Sequence, residues 1–163
     1  MDRCFEKISF KQFKKDIICN EELYNSYELP VRASRNSCGY DFKAICDYII
    51  KPGEVIKIPT GYKFKCNSDE LLMIVLRSSI GFKYNVRMCN QVGIIDSDYY
   101  NNIENEGHIW ICLQNEGNND FVIKSGDSYC QGIILKYLTC NDNVKTIRKG
   151  GIGSTNKESD SCE

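Results

Sequence analysis

Three stretches of this chain set residues that can hold phosphate or move a proton side by side. Arg77-Ser78-Ser79 places a cation and two hydroxyls directly after the apolar run 71–76, at the end of an expected strand. The same triplet is also what a solvated turn looks like. Gly93-Ile94-Ile95-Asp96-Ser97-Asp98-Tyr99 runs a buried-looking strand into two carboxylates and an aromatic ring. A plain turn offers Asn or Gly there, and the ordinary alternative is a hairpin whose backbone is capped by Asp. Arg148-Lys149-Gly150-Gly151-Ile152-Gly153-Ser154-Thr155 combines cations, hydroxyls and three glycines. Glycine lets successive N–H groups converge into an anion-binding nest. The stretch lacks the Gly-Lys-Ser/Thr step into a helix that defines a P-loop, and by itself it also reads as a polar tail.

Other chemistries lack their residues. The ten cysteines are scattered without a Cys-x-x-Cys pair, and His108 is the only histidine. Zinc needs clustered thiolates or imidazoles, so no zinc site is expected. Several cysteines sit in apolar runs, Cys112 within Ile109-Trp110-Ile111-Cys112-Leu113 among them, and are expected to be small buried hydrophobes in a reducing compartment. Catalysis must then rest on carboxylates, backbone groups and phosphate-binding side chains. Lys and Arg number 21 against 22 Asp and Glu, a net charge of −1, which argues against a protein that coats nucleic acid. The N-terminus carries Asp2 and Glu6 and no apolar signal region, and no apolar stretch reaches the ~18 residues of a membrane span. A soluble, cytoplasmic protein is expected.

The elements that must position these groups are mostly strands. The 163 residues suffice for one domain with a real core. Tyr62, Phe64 and Cys66 alternate with Lys63 and Lys65, and further apolar runs fall at 55–58, 71–76, 86–89, 109–113, 121–123 and 132–137. Turn residues separate them, at Lys51-Pro52-Gly53, 115–119 and Ser125-Gly126-Asp127. Many short strands without alternating helices predict an all-β sandwich or barrel. Within residues 1–28, Ser9 and Gln12 form a capping-box pattern, and Phe10, Phe13, Ile17 and Ile18 recur at helical spacing. That spacing predicts a short helix on the outside of the domain. Residues 148–163 lose apolar content and are expected to form a flexible C-terminal arm.

Taken in order, these stretches resemble the motifs of the homotrimeric dUTPase family. Gly39-Tyr40-Asp41-Phe42, preceded by Leu29-Pro30, is similar to the first. Arg77-Ser78-Ser79 resembles the second, and Gly93 to Tyr99 with Asn90 the third. Gly126-Asp127-Ser128-Tyr129-Cys130-Gln131 resembles the fourth, and Arg148 to Thr155 the fifth. The resemblance implies a jelly-roll-like β domain over residues 1–147 that hydrolyses dUTP to dUMP and pyrophosphate. That reaction keeps uracil out of DNA and supplies dUMP for dTMP synthesis. It implies that Asp96 deprotonates the attacking water. Asn90, with the backbone of Gly93, Ile94 and Ile95, would read uracil, and Tyr99 would pack on the deoxyribose and exclude a 2′-hydroxyl. Arg77, Ser78, Ser79 and Gln131 would hold the phosphates. Arg148, Gly153, Ser154 and Thr155 would close over the γ-phosphate. Mg²⁺ would ride on the triphosphate, with Asp41 reaching it through water. It also implies a homotrimer whose sites are shared between subunits.

The chain departs from the family pattern in places. Ile152 stands where the family usually has the Phe that covers uracil, Asn156 follows Ser-Thr in place of Gly, and Ser128 replaces a common Arg. The fifth motif is also one residue shorter between its Arg and its glycines than in many members. Two other readings stay open. A dCTP deaminase shares the fold, but Cys112 stands where that family needs a Glu. A binding module that signals to a protein partner could use residues 100–107, which also read as an ordinary variable loop.

Overall fold

The computed structural model describes residues 3–141, Val144 and Gly150. The elements run in the order β1 (Cys4–Lys7), α1 (Phe10–Asp16), α2 (Glu21–Ser26), β2 (Val31–Arg32), β3 (Gly39–Lys43), β4 (Tyr48–Ile50), β5 (Val55–Pro59) and β6 (Tyr62–Lys65). After them come β7 (Glu70–Leu76), α3 (Ser78–Tyr84), β8 (Val86–Met88), β9 (Gly93–Asp96), β10 (Trp110–Asn115), β11 (Phe121–Ile123) and β12 (Ser128–Lys136). A single 3₁₀ turn, Ser97–Tyr99, comes directly after β9.

All pairings are antiparallel. The largest sheet runs β2-β3-β12-β7-β9, a second runs β5-β10-β8, and β11-β4 and β1-β6 form two-stranded pieces. Period-two patterning decides which side chains turn inward. Along β10, Ile111, Leu113 and Asn115 are buried while Trp110, Cys112 and Gln114 are half-exposed. Phe42, Leu72, Ile74 and Cys130 of the large sheet pack into one core with Ile58, Met88, Ile111 and Leu113 of the second. Full burial of each such aliphatic or aromatic side chain contributes about 1.5–3 kcal/mol. The result is the all-β sandwich that the strand spacing predicts, with the jelly-roll-like form that the resemblance implies.

Buried polar groups tie the layers together. Asn115 is fully buried, yet its Nδ2 donates to the carbonyls of Ile50 and Asn119 at 2.7 and 2.8 Å. Its Oδ1 accepts from the Gly117 N–H at 2.9 Å. Glu70, 1 % exposed at the start of β7, receives Nε of Arg3 at 2.7 Å, and this pairing holds its carboxyl down to about 2.

The N-terminal helix forms where its cap predicts, with Ser9 Oγ accepting from the Gln12 N–H at 3.2 Å. It does more than cover the outside. Phe13 is fully buried and seats a second small core with Ile8 and Ile45, and its ring stacks on Tyr27. A second helix, α2, was not expected. Its signals are local: Asn20 caps the Leu23 N–H at 2.9 Å, and Glu21 and Glu22 lie in the first turn, where the helix dipole favours carboxylates. The expectation of buried cysteines needs correcting. Cys66 and Cys130 are buried, but Cys112 lies on the outer face of β10 with its sulfur 3.3 Å from that of Cys89.

His108 joins α1 to the sandwich. It is fully buried, with Nδ1 2.6 Å from Asp16 and Nε2 accepting the Gly61 N–H at 2.9 Å. Those partners fix a neutral ring, since Nε2 cannot accept while protonated. Burial pushes its pKa below the ordinary value, against the pull of Asp16 and Glu106. A histidine depressed in the folded state favours folding above its unfolded pKa, near 6.5, and loses that contribution as pH falls. The unfolding free energy should therefore decline as pH drops from about 7 to 5. His108→Asn should flatten this limb while costing about 2 kcal/mol at pH 7, because the Gly61 N–H loses its acceptor. Denaturant melts across pH check this; an unchanged slope in the variant contradicts it. A second prediction concerns Tyr129, buried with no hydrogen-bond partner for its hydroxyl among the described residues. Tyr129→Phe should leave stability unchanged or raise it by about 1 kcal/mol. A loss of that size would show that the hydroxyl has a partner.

Candidate active site

The phosphate-type residues gather at one end of the large sheet. β7 is apolar from Leu71 to its end at Leu76, and the chain turns at Arg77 into α3. Arg77 occupies the N-cap position in extended conformation without a side-chain cap bond. Its guanidinium is therefore available elsewhere, and Nη1 lies 3.3 Å from Oδ2 of Asp41. Ser78 and Ser79 are exposed on the first helical turn, where backbone N–H groups have no carbonyl of the helix to bond. Sequence spacing leaves this triplet open between a strand end and a turn, and it opens a helix.

β12 brings in the rest. It pairs with β7 on one side and β3 on the other, setting Gln131 opposite both Val75 and Asp41. The Arg77 N–H also donates to the Tyr129 carbonyl at 3.1 Å. Gln131 reaches across β3 over Gly39, where an added Cβ would lie 2.2 Å from its Oε1. Gly39 thus clears the space that Gln131 fills. The glycine stands in the sequence as part of a motif, but its use appears only once the β3–β12 register is known.

The residues expected at the base and sugar form a second group. Asn90 is exposed in the tight turn that carries the chain from β8 in one sheet to β9 in the other. Gln91 adopts φ 63° there, and the Val92 N–H bonds the Asn90 carbonyl at 2.6 Å. Gly93 opens β9 opposite Ile74, Ile94 is half-exposed, and Ile95 packs on the core. Asp96 ends the strand half-buried opposite Leu71. Tyr99, only 7 % exposed, closes the 3₁₀ turn, and its hydroxyl donates to the His108 carbonyl at 3.0 Å.

The two groups do not meet within one chain. Arg77 lies six positions along β7 from Leu71, the partner of Asp96, which is about 20 Å of extended strand. No rotamer change spans that distance. Arg148, Ile152, Gly153, Ser154 and Thr155 lie outside the described residues.

Among the described residues no three His, Cys, Asp or Glu side chains cluster to hold a metal. One carboxylate beside an arginine does fit Mg²⁺, which keeps several waters and is commonly carried by substrate phosphates with one or two carboxylates. Asp41, largely buried and next to Arg77, provides that arrangement.

Known proteins are similar in both sequence and fold. The dUTPase family model matches residues 25–159. A deoxyuridine 5′-triphosphate nucleotidohydrolase from Lactococcus lactis is 38% identical over 130 residues, covering 78% of this chain and 87% of that one. The Haemophilus influenzae protein of the same name is 32% identical over 150 residues, covering 86% and 95%. The crystal structure of dUTPase from Streptococcus mutans superposes with a TM-score of 0.69 at 33% identity, covering 85% of this chain and 98% of that one. The dUTPase of Staphylococcus aureus phage phi11, at 16% identity and a TM-score of 0.66 over 90% and 97%, shares the fold. With the family model covering most of its length and these relatives aligned along nearly all of theirs, the chain belongs to the dUTPase family.

Proposed function

We propose that this chain hydrolyses dUTP to dUMP and pyrophosphate in a homotrimer whose sites combine groups from different subunits. The observation that carries the shared site is the separation of Asp96 from Arg77 along β7 in a chain with one set of motifs. The enzymatic part rests on the family and on the nature of the two groups. One holds a cation, two exposed hydroxyls and an amide, and the other a carboxylate beside an aromatic ring.

In this reading Asp96 accepts a proton from a water as its oxygen bonds the α-phosphorus. The bond from that phosphorus to the bridging oxygen breaks, and pyrophosphate leaves. Asn90 and the backbone of Gly93, Ile94 and Ile95 hold uracil, while the ring of Tyr99 fills the space beside C2′ of the sugar. Arg77, Ser78, Ser79 and Gln131 hold the phosphate oxygens. Arg77 can keep its contact with Asp41 and still present other N–H groups, since a guanidinium has five. Arg148, Gly153, Ser154 and Thr155 close the arm over the γ-phosphate, with Ile152 against the base. Asp41 would hold a phosphate-borne Mg²⁺ through water, and the ion when bound would neutralise charge on the triphosphate. Positioning and charge neutralisation are what phosphoryl chemistry chiefly needs. A cytoplasmic location fits the free thiols, and no helix among the described residues is long and apolar enough to cross a membrane. The deaminase alternative loses ground, because Cys112 on β10 faces Cys89, just past the end of β8, and offers no carboxylate there.

With Mg²⁺ present, the protein should release pyrophosphate from dUTP and far more slowly from UTP, dTTP and dCTP. Ammonia from dCTP would indicate the deaminase instead. Asp96→Asn keeps the shape of the side chain and removes the base, so it should retain nucleotide binding and lose about 10²- to 10⁴-fold in kcat. Turnover within a few-fold of the parent would place the base elsewhere, with Asp98 the next candidate.

A further inference from the structure

Residues 100–107, between the 3₁₀ turn and β10, are built around two asparagines. Asn102, 8 % exposed, donates Nδ2 to the Tyr99 carbonyl at 2.9 Å and to Asn105 Oδ1 at 2.8 Å. Its Oδ1 accepts the N–H groups of Glu104 and Asn105 at 3.0 and 3.2 Å. Asn105 Oδ1 also accepts the Gly107 N–H at 3.1 Å, and Asn105 Nδ2 donates to the Tyr99 hydroxyl at 2.9 Å. The Tyr99 oxygen is thus held twice, accepting from Asn105 and donating to the His108 carbonyl at 3.0 Å.

The anchor behind this pair is itself fixed. His108 is locked between Asp16 and the Gly61 N–H. Glu106 accepts from the Ser9 N–H at 2.8 Å and the Ser9 hydroxyl at 2.5 Å, clamping the loop to the cap of α1. Gly107 has φ +80°, and a Cβ there would lie 2.6 Å from the Tyr99 carbonyl oxygen, so the return strand passes where only glycine fits. These contacts hold the polar loop together, with the side-chain Nδ2 groups of Asn102 and Asn105 both donating to Tyr99.

We infer that Asn105, oriented by Asn102, is a positioning residue that fixes the ring of Tyr99 and thereby sets the preference for deoxyribose over ribose. This deepens the sugar-packing role proposed above for Tyr99 and rests on it. Excluding one hydroxyl by contact requires the ring to hold its place to a fraction of an ångström, because a small gap relieves the overlap. A tyrosine tethered only through its backbone can tilt about χ1 and χ2. One fixed also at its far end cannot, and Asn105 supplies half of that far-end tether.

The test uses the full-length protein with Mg²⁺. It compares kcat and KM for dUTP and UTP in the parent, Asn105→Ala, Asn105→Asp, Tyr99→Phe, Tyr99→Ala and the Asn105→Ala/Tyr99→Phe double variant. Loss of one neutral hydrogen bond corresponds to about 3- to 10-fold. Asn105→Ala should lower the dUTP-over-UTP ratio of kcat/KM by that factor, through a lower KM for UTP, with kcat for dUTP nearly unchanged. Asn105→Asp keeps the acceptors for Asn102 and Gly107, and the Tyr99 hydroxyl can turn to donate to the new carboxylate, so this variant should hold the ring and stay closer to the parent ratio than Asn105→Ala. The double variant should discriminate no worse than Tyr99→Phe, since both changes remove the same contact. If Tyr99→Ala abolishes discrimination while Asn105→Ala retains the parent ratio, or if the double variant shows multiplied losses, the positioning role is wrong. Retention of the parent ratio by Tyr99→Ala itself would instead remove the sugar role of Tyr99, and this inference with it.

Discussion

β7 is the constraint on which the site depends. Its backbone is hydrogen-bonded on one side to β12 and on the other to β9, so its length cannot shorten without breaking both ladders. Arg77 leaves one end, and Asp96 lies opposite the other. A carboxylate that activates water at the α-phosphorus must stand within a few ångström of the groups that hold that phosphate. About 20 Å of paired strand rules this out inside one chain. Either the two groups serve different chemistry or each is completed by another copy of the chain, and the proposed function takes the second.

The same ladders explain why each half is well formed by itself. β12 sits between β3 and β7, and a one-residue slip of its register would turn Gln131 away from Asp41 and expose the inward-facing Cys130 and Gly132. The core thus enforces the phosphate group, because the register that buries the apolar face is the one that aligns Asp41, Gln131 and Arg77. The second group is enforced differently. β9 is short and lies at the sheet edge, and the loop beyond it is held by side chains: Asn102, Asn105 and Glu106, with His108 tied to Asp16. Helix α1, remote from phosphate chemistry, therefore bears on the loop next to Tyr99.

Much of this could be read from the sequence, for identifiable reasons. Strand alternation at 62–66 and the apolar runs at 71–76 and 109–113 reflect burial on one or both faces, and all became strands. The Ser9 cap was visible because capping is local. Other features were not visible. α2 has apolar side chains only at the adjacent Leu23 and Tyr24, which shows no helical period, and α3 begins inside a motif that reads as a turn. Cys112 was expected inside because its neighbours are apolar, but its place in the alternation of β10 turns it outward. Residues 100–107 read as a variable loop, since Asn side chains signal turns in general and not the particular amide network they build here. The role of Gly39 depends on a pairing with β12 that no local pattern encodes.

Complementation between two inactive chains bears most directly on the shared site. Arg77→Ala retains Asp96, and Asp96→Asn retains Arg77, so neither alone makes a working site. The two are to be mixed in equal amounts, unfolded and refolded together, with mixed assemblies verified by native mass spectrometry and dUTP turnover measured. If Asp96 of one subunit serves Arg77 of another, random assembly gives about one quarter of sites with both groups intact, and activity should return to about that fraction of the parent. Mixed assemblies that stay as inactive as the separate variants would show that each chain works with its own residues, and the shared site would be refuted.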